Sequence, residues 1–204
     1  MVYKVTTTQY FQEDPAKVGN FHARSRDLWN DYVWRNRSHL VAVMNGMPEM
    51  PVTREWVMAN ISDFFDTIND YYGTDSAQRW RTIMEAQTTE MIQLLDYIKK
   101  PPVNFNINTD MFVQDLVTKL KNSASELFDL MSTLNPGAWN MLNIKNQLMD
   151  LVETWFSQIN MRLIKNWNED LTATDRCFDT ARQLAHVFAS GIVQQSPDRF
   201  AIAT

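Results

Sequence analysis

The chain has one cysteine, three histidines and five glycines in 204 residues, and each scarcity closes off a class of function. Cys177 alone cannot form an intramolecular disulfide, so a disulfide-stapled secreted scaffold is excluded. A single thiol fits a reducing, cytoplasmic compartment, or a particle assembled inside a cell. Few glycines mean few tight turns and no phosphate cradle, and neither a P-loop nor a G-x-G-x-x-G pattern occurs. The histidines are His22, His39 and His186, with no H-E-x-x-H and no cysteine pair. A zinc site needs three or four protein ligands, and a di-iron bundle needs Glu-x-x-His on two helices; no Glu-x-x-His is present. No run of about eighteen apolar residues exists, so no segment is suited to span a membrane as a helix. Met1-Val2-Tyr3-Lys4-Val5 lacks the long apolar core of a secretory leader. Basic residues are scattered through a chain of net charge -5, which offers no electrostatic footprint for nucleic acid.

What is present is ordinary in bulk and unusual in detail. Hydrophobic residues make up 45% and charged residues 21%, the balance of a globular domain long enough to bury a core without staples. Twelve methionines and seven tryptophans are many. They read first as filler between helices, because Met adapts to irregular gaps, and second as an adhesive partner surface.

Apolar residues recur with helical period in six segments, which predicts an all-α, antiparallel up-and-down bundle of four long helices plus two additional ones. Residues 1–19 show no such period and read as an irregular lead-in to one domain over 20–200. The first helix is expected from an Asn20 cap to Gly46, the second from Thr53 to Tyr72, and the third from about Thr74 to Lys99. Pro101-Pro102 stops the third helix. After the linker 101–109, helices are expected from Thr109 or Asp110 to Asn135, over about 140–169, and over about 172–193. The acidic pairs Asp63/Asp66 and Glu126/Asp129 read as solvated faces, and Asp170 as a carboxylate complementing a helix dipole. Cys177 falls near an apolar stripe and reads as a buried structural thiol. Trp29, Trp80, Trp139, Trp155 and Trp167 read as core, and a lone helical histidine such as His39 as a surface or capping residue.

One polar residue breaks the pattern. The third helix runs Trp80, Met84, Gln87, Met91, Leu95, Ile98, which places an amide among apolar side chains. Buried polar groups need partners. Tyr32 and Asn36, one turn apart on the stripe of the first helix, are the expected companions, so the pattern predicts a buried, metal-free polar layer of Tyr32, Asn36 and Gln87.

Several stretches together resemble an uncharacterised bacterial helical-bundle family often labelled "glycosyltransferase". The resemblance covers roughly residues 28–200. Leu28 to Arg37 (LWNDYVWRNR) is similar to its L-W-x-x-H-V-x-W-T-R, with Tyr32 at the histidine, Asn36 at the threonine and Arg37 retained. Asn60 and Asp63, Tyr71-Tyr72-Gly73, Asn135-Pro136 with Trp139, Trp167 with Asp170 and Asp175, and GIVQQSPDRF from Gly191 follow in the family's order. The family is in turn similar to DinB-like and hemerythrin-like bundles, in which helix-borne histidines hold a metal. The resemblance places Tyr32, Gln87, Asp150 and His186 at those polar positions, a degenerate set, since Tyr and Gln are poor ligands for zinc or iron. At 100° per residue, Asp150 and His186 lie off their apolar stripes, by roughly 90° or more for Asp150. A one-residue shift would put Leu151 in place of Asp150.

The foremost functional reading is a non-catalytic module that acts through a protein partner or self-association, as a structural component of a larger assembly or virion, with no cofactor. One alternative is a metal-dependent DinB-like enzyme using a divalent metal at Tyr32, Gln87, Asp150 and His186. The other is a small-molecule binder with a polar pocket. A sugar transferase would need an α/β nucleotide-binding unit, which six helical segments do not provide.

Overall fold

The computed structural model describes residues 12–202, most of them helical. Six helices follow one another: α1 (Pro15–Asn45), α2 (Met50–Tyr72), α3 (Thr74–Lys99), α4 (Met111–Leu134), α5 (Leu142–Leu163) and α6 (Trp167–Gln195). A short 3-10 turn over Pro197–Phe200 closes the described chain. Each helix packs on the next, and α6 returns against α1, so the six form a closed ring. The α1–α6 pair is antiparallel: His22, early in α1, meets His186, late in α6, while Arg37, late in α1, meets Asp170 at the start of α6. The all-α up-and-down bundle expected from periodicity is the observed architecture.

Differences in helix ends have local causes. α1 begins at Pro15, not near Asn20. Asp14 is its N-cap, and one carboxylate oxygen accepts from the amides of Ala16 and Lys17, with Pro15 at the first helical position. Asp-Pro is itself a start signal, so 15–19 belong to the bundle rather than to a lead-in; residues 1–11 of that lead-in lie outside the described chain. The start of α1 is also tied to the chain's far end. Glu13 bridges Ala201, the Asp14 amide donates to the Phe200 carbonyl at 2.7 Å, and Lys17 Nζ donates to the Ala201 carbonyl at 2.7 Å. Pro51 in the first turn lets α2 begin at Met50, three residues before Thr53. The helix expected over 140–169 is broken after Leu163, where Lys165 takes the left-handed conformation (φ 59°) without a glycine to mark it. Asn166 then caps α6, which starts five residues earlier than expected.

The core is aromatic at its centre. Trp29 lies edge-on to Phe64 (5.1 Å between centroids), Phe64 stacks on Trp80 (5.9 Å), and Trp80 and Trp29 both approach Phe188. Trp139, from the α4–α5 joint, stacks on Phe188 at 5.4 Å with planes 5° apart. Such pairs contribute about 0.5–1.5 kcal/mol each beyond the area they bury. Trp155 is buried as expected, but Trp167 is 51% exposed, at the first position of α6 rather than in the core.

Candidate functional site

At the positions that periodicity singled out, polar side chains do turn inward, although Tyr32 is half-buried rather than buried. Gln87 is buried, and the Tyr32 hydroxyl donates to its Oε1 at 3.0 Å, joining α1 to α3. Asn36 is also buried, but its Nδ2 donates to the Tyr32 carbonyl at 2.7 Å, a bond within α1. The layer is therefore a Tyr32–Gln87 pair across the helices, with Asn36 turned back onto its own backbone.

Beside this pair lies a small cavity lined by Tyr32, Asn36, Met91, Leu151, Gln158 and Cys177, among others. Its volume of about 20 Å³ has room for about one water molecule and not for a metabolite. Its ionisable groups are held neutral. Burial pushes the Cys177 thiol up to about 12, against a smaller opposing effect of its hydrogen bond from Gln158. Burial likewise raises the Tyr32 phenol, with nearby Cys177 adding to the shift. At neutral pH the thiol is not a thiolate nucleophile and the phenol remains a hydrogen-bond donor.

The four positions implied by the family resemblance fall in three places. Tyr32 and Gln87 are the interior pair. Asp150 sits at the α5–α6 surface, where its two oxygens accept from Arg176 and from the Thr180 hydroxyl, each at 2.9 Å. His186 is exposed and packs against His22, with ring centroids 5.4 Å apart. Leu151, not Asp150, faces the cavity with Tyr32. Among the described residues, no three His, Cys, Asp or Glu side chains are grouped so as to hold a metal ion.

The larger polar construction is a buried ion cluster. Asp170 is 1% exposed and receives both guanidinium nitrogens of Arg37, at 2.5 and 2.6 Å. Arg162 approaches the same carboxylate at 3.3 Å. Arg37 also donates to Gln158 Oε1 at 3.3 Å, and Gln158 Nε2 donates to the Cys177 sulfur at 3.0 Å. A continuous polar chain thus runs from the α6 start to the cavity. Asp170 does lie in the first turn of α6, where a carboxylate complements the helix dipole, but it is buried there and paired with two arginines, which the sequence did not suggest. Gln158 and Arg162 share the apolar stripe of α5 with Leu151 and Trp155, the same interruption of a stripe that marks Gln87 on α3.

Much of what carried the family resemblance is structural in this chain. Asn135 is buried; its Nδ2 donates to the Gly191 carbonyl at 2.8 Å, and its Oδ1 accepts from the Ala138 amide. Trp139 Nε1 donates to the Val187 carbonyl at 3.1 Å. Tyr72 packs on Trp139 and donates its hydroxyl to Gln195. These residues lock the α4–α5 joint onto the last turns of α6. Asp63/Asp66 and Glu126/Asp129 are exposed, as expected.

His39 corrects the expectation of a surface or capping role. It is 3% exposed, with Nδ1 hydrogen-bonded to the Thr53 hydroxyl and Arg54 and Asp96 nearby. Burial lowers its pKa below 6.5, with a smaller contribution from Arg54, and burial followed by His186 lowers that of His22. A lowered folded-state value means that the unfolded chain binds protons first. The stabilising contribution is therefore complete above about pH 6.5 and is lost as pH falls through the lower folded-state values. We expect Tm to fall between about pH 7 and pH 5.5, before most carboxylates titrate, and the fall to shrink in His39→Gln. An unchanged Tm over that interval would contradict the assignment.

No family model, curated protein or solved structure matches the chain.

Proposed function

We propose that the chain is a non-catalytic helical module that works through protein contacts, as a structural part of an assembly. The observation that carries this reading is how the interior polar groups are employed. Tyr32, Asn36, Gln87, Arg37, Gln158, Cys177 and Asp170 are bonded to one another or to backbone, around a cavity with room for about one water. Donors and acceptors committed in this way hold helices together. The resemblance to metal-binding bundles is then a relationship of scaffold, with the Tyr32–Gln87 pair standing where that family carries histidines.

Stability and metal content test this together. Tyr32→Phe should cost about 1–2 kcal/mol, because it leaves the buried Gln87 oxygen without its donor. Tyr32→Phe/Gln87→Met should restore most of that loss, since removing both partners of a buried bond is nearly neutral. Protein purified without chelators should carry far less than one metal per chain by elemental analysis. Stoichiometric zinc, nickel or iron, stripped by Asp150→Ala or His186→Ala, would replace this reading with the DinB-like enzyme.

A further inference from the structure

Antiparallel packing of α1 on α2 builds an acidic groove on the outside of the bundle. Phe21 of α1 meets Tyr71 of α2 at one end, and Arg35 meets Asp63 and the Trp56 carbonyl at the other. Between these contacts the two helices present carboxylates at one-turn intervals, Asp27 and Asp31 on α1 and Asp63, Asp66 and Asp70 on α2. All five line a single groove of about 310 Å³. Arg35 pairs with Asp31 at 2.6 Å and with Asp63 at 3.4 Å, and Arg24 is the basic residue of the lining. Five carboxylates against these two guanidiniums leave an excess of three negative charges. Arg199 lies at the end of the groove, over the Tyr71 ring, and donates to the Asp70 backbone carbonyl. Among the described residues, the carboxylates of Asp27, Asp66 and Asp70 make no ion pair.

Crowded carboxylates alone make a solvated face, and the floor of the groove is what distinguishes this one. Ser25 lines it and is 2% exposed, yet its hydroxyl has no hydrogen-bond partner among the described residues. Other helical hydroxyls, such as those of Ser38, Thr67, Thr118 and Thr133, donate to the carbonyl four residues back. A buried hydroxyl spent on neither its own helix nor a neighbour is costly, and the groove above it is where a partner can enter. Ligand chemistry follows from the spacing. Among the described residues no three of the carboxylates are grouped to hold one metal ion. A cation with its charge spread along a chain fits them instead. At 1.5 Å per residue, the steps from Asp27 to Asp31 and along Asp63, Asp66 and Asp70 are about 4.5–6 Å. A linear polyamine carries its ammonium groups three or four methylenes apart, on the order of 5–6 Å when extended. At about 30 Å³ per heavy atom the groove has room for about ten, the size of a triamine with three positive charges. We propose that the α1–α2 groove binds a linear aliphatic polyamine, its ammonium groups held by Asp27, Asp66 and Asp70 and one of them hydrogen-bonded to Ser25. The groove lies apart from the polar interior that carries the protein-contact reading, so the two stand or fall separately.

Calorimetric titration of the full chain with spermidine tests it. The expected result is one site per chain with a dissociation constant below about 1 mM at low ionic strength, weakening as salt is added. Asp27→Asn/Asp66→Asn, at two exposed positions, should raise that constant at least about tenfold with circular dichroism unchanged. Ser25→Ala should raise it at least about twofold without lowering Tm, since a merely structural hydroxyl would move Tm and leave affinity alone. Glu126→Gln/Asp129→Asn, on the exposed face of α4, should leave binding intact. No saturable heat, or equal weakening by the α4 pair, overturns the proposal. So does unchanged affinity in either groove variant, or full competition by magnesium at spermidine's own concentration, which would make the groove a site for any cation. None of these outcomes alters the metal content or the Tyr32–Gln87 energetics by which the protein-contact reading is judged.

Discussion

Replacing Asp170 with alanine should destabilise the chain by about 3–5 kcal/mol, the cost of leaving buried charge without its partner. The carboxylate is almost fully enclosed and receives Arg37 through two short bonds and Arg162 through a third contact. Its removal leaves two guanidinium groups facing each other across the start of α6. Arg162 already feels that repulsion: burial, then Arg37, lowers its pKa, and Asp170 is what opposes both. Arg37→Met should cost less, because Arg162 remains to pair the carboxylate. For a chain of this length each kcal/mol moves Tm by about 2–4 °C, so Asp170→Ala should melt roughly 6–20 °C below the parent. The triple substitution Arg37→Met/Arg162→Met/Asp170→Leu should recover most of the loss, since the desolvation of an ion cluster offsets much of its attraction. Urea unfolding of the four proteins measures all of this; a loss under about 1 kcal/mol for Asp170→Ala would mean that water reaches the cluster.

That cluster also marks the limit of what the sequence makes legible. Trp80, Met84, Met91, Leu95 and Ile98 fix the buried face of α3 by period alone, and with it the inward position of Gln87. Its partner Tyr32 was legible because both residues interrupt stripes on helices expected to face each other. Arg37 and Asp170 were not, because they are 133 positions apart and each looks ordinary locally, one charge near the end of a helix and one in a first turn. Only the return of α6 onto α1 brings them together, and that closure is a property of the ring. The break at Lys165 escaped for a different reason. A left-handed residue is expected at glycine or asparagine, so a lysine in that conformation leaves no mark in the sequence. Without that break α6 could not start at Trp167, and Asp170 would not sit in a first turn facing Arg37. One irregular turn thus positions both the ion cluster and the exposed side chains of Ile164 and Trp167.

Gly191→Ala should be nearly as damaging as the loss of the buried Asp170 charge, by about 2–4 kcal/mol, although alanine is the better helix former. Propensity alone predicts a gain of about 1 kcal/mol in the interior of α6. Packing predicts the reverse. A Cβ on Gly191 would sit 2.2 Å from Trp139 Nε1 and 2.9 Å from two further ring atoms, so the indole must move. It has nowhere to go. Trp139 is fully buried, stacked on Phe188, covered by Tyr72 and held by its bond to the Val187 carbonyl. Displacing it breaks that bond and disturbs the aromatic centre shared by α1, α2, α3 and α6. Gly19 provides the control. It lies on the exposed side of α1, and a Cβ added there would meet nothing within 4 Å, so Gly19→Ala should stabilise by about 0.5–1 kcal/mol. The signs of the two substitutions, read from the same urea titrations, separate backbone propensity from packing. A smaller side chain at position 139 should rescue the damaging one: Trp139→Leu combined with Gly191→Ala should cost less than Trp139→Leu in the parent, a coupling that independent sites would not show. If Gly191→Ala instead stabilises the chain as Gly19→Ala does, the α4–α5 joint does not press on α6, and the role given to Asn135 and Trp139 in locking the bundle is wrong.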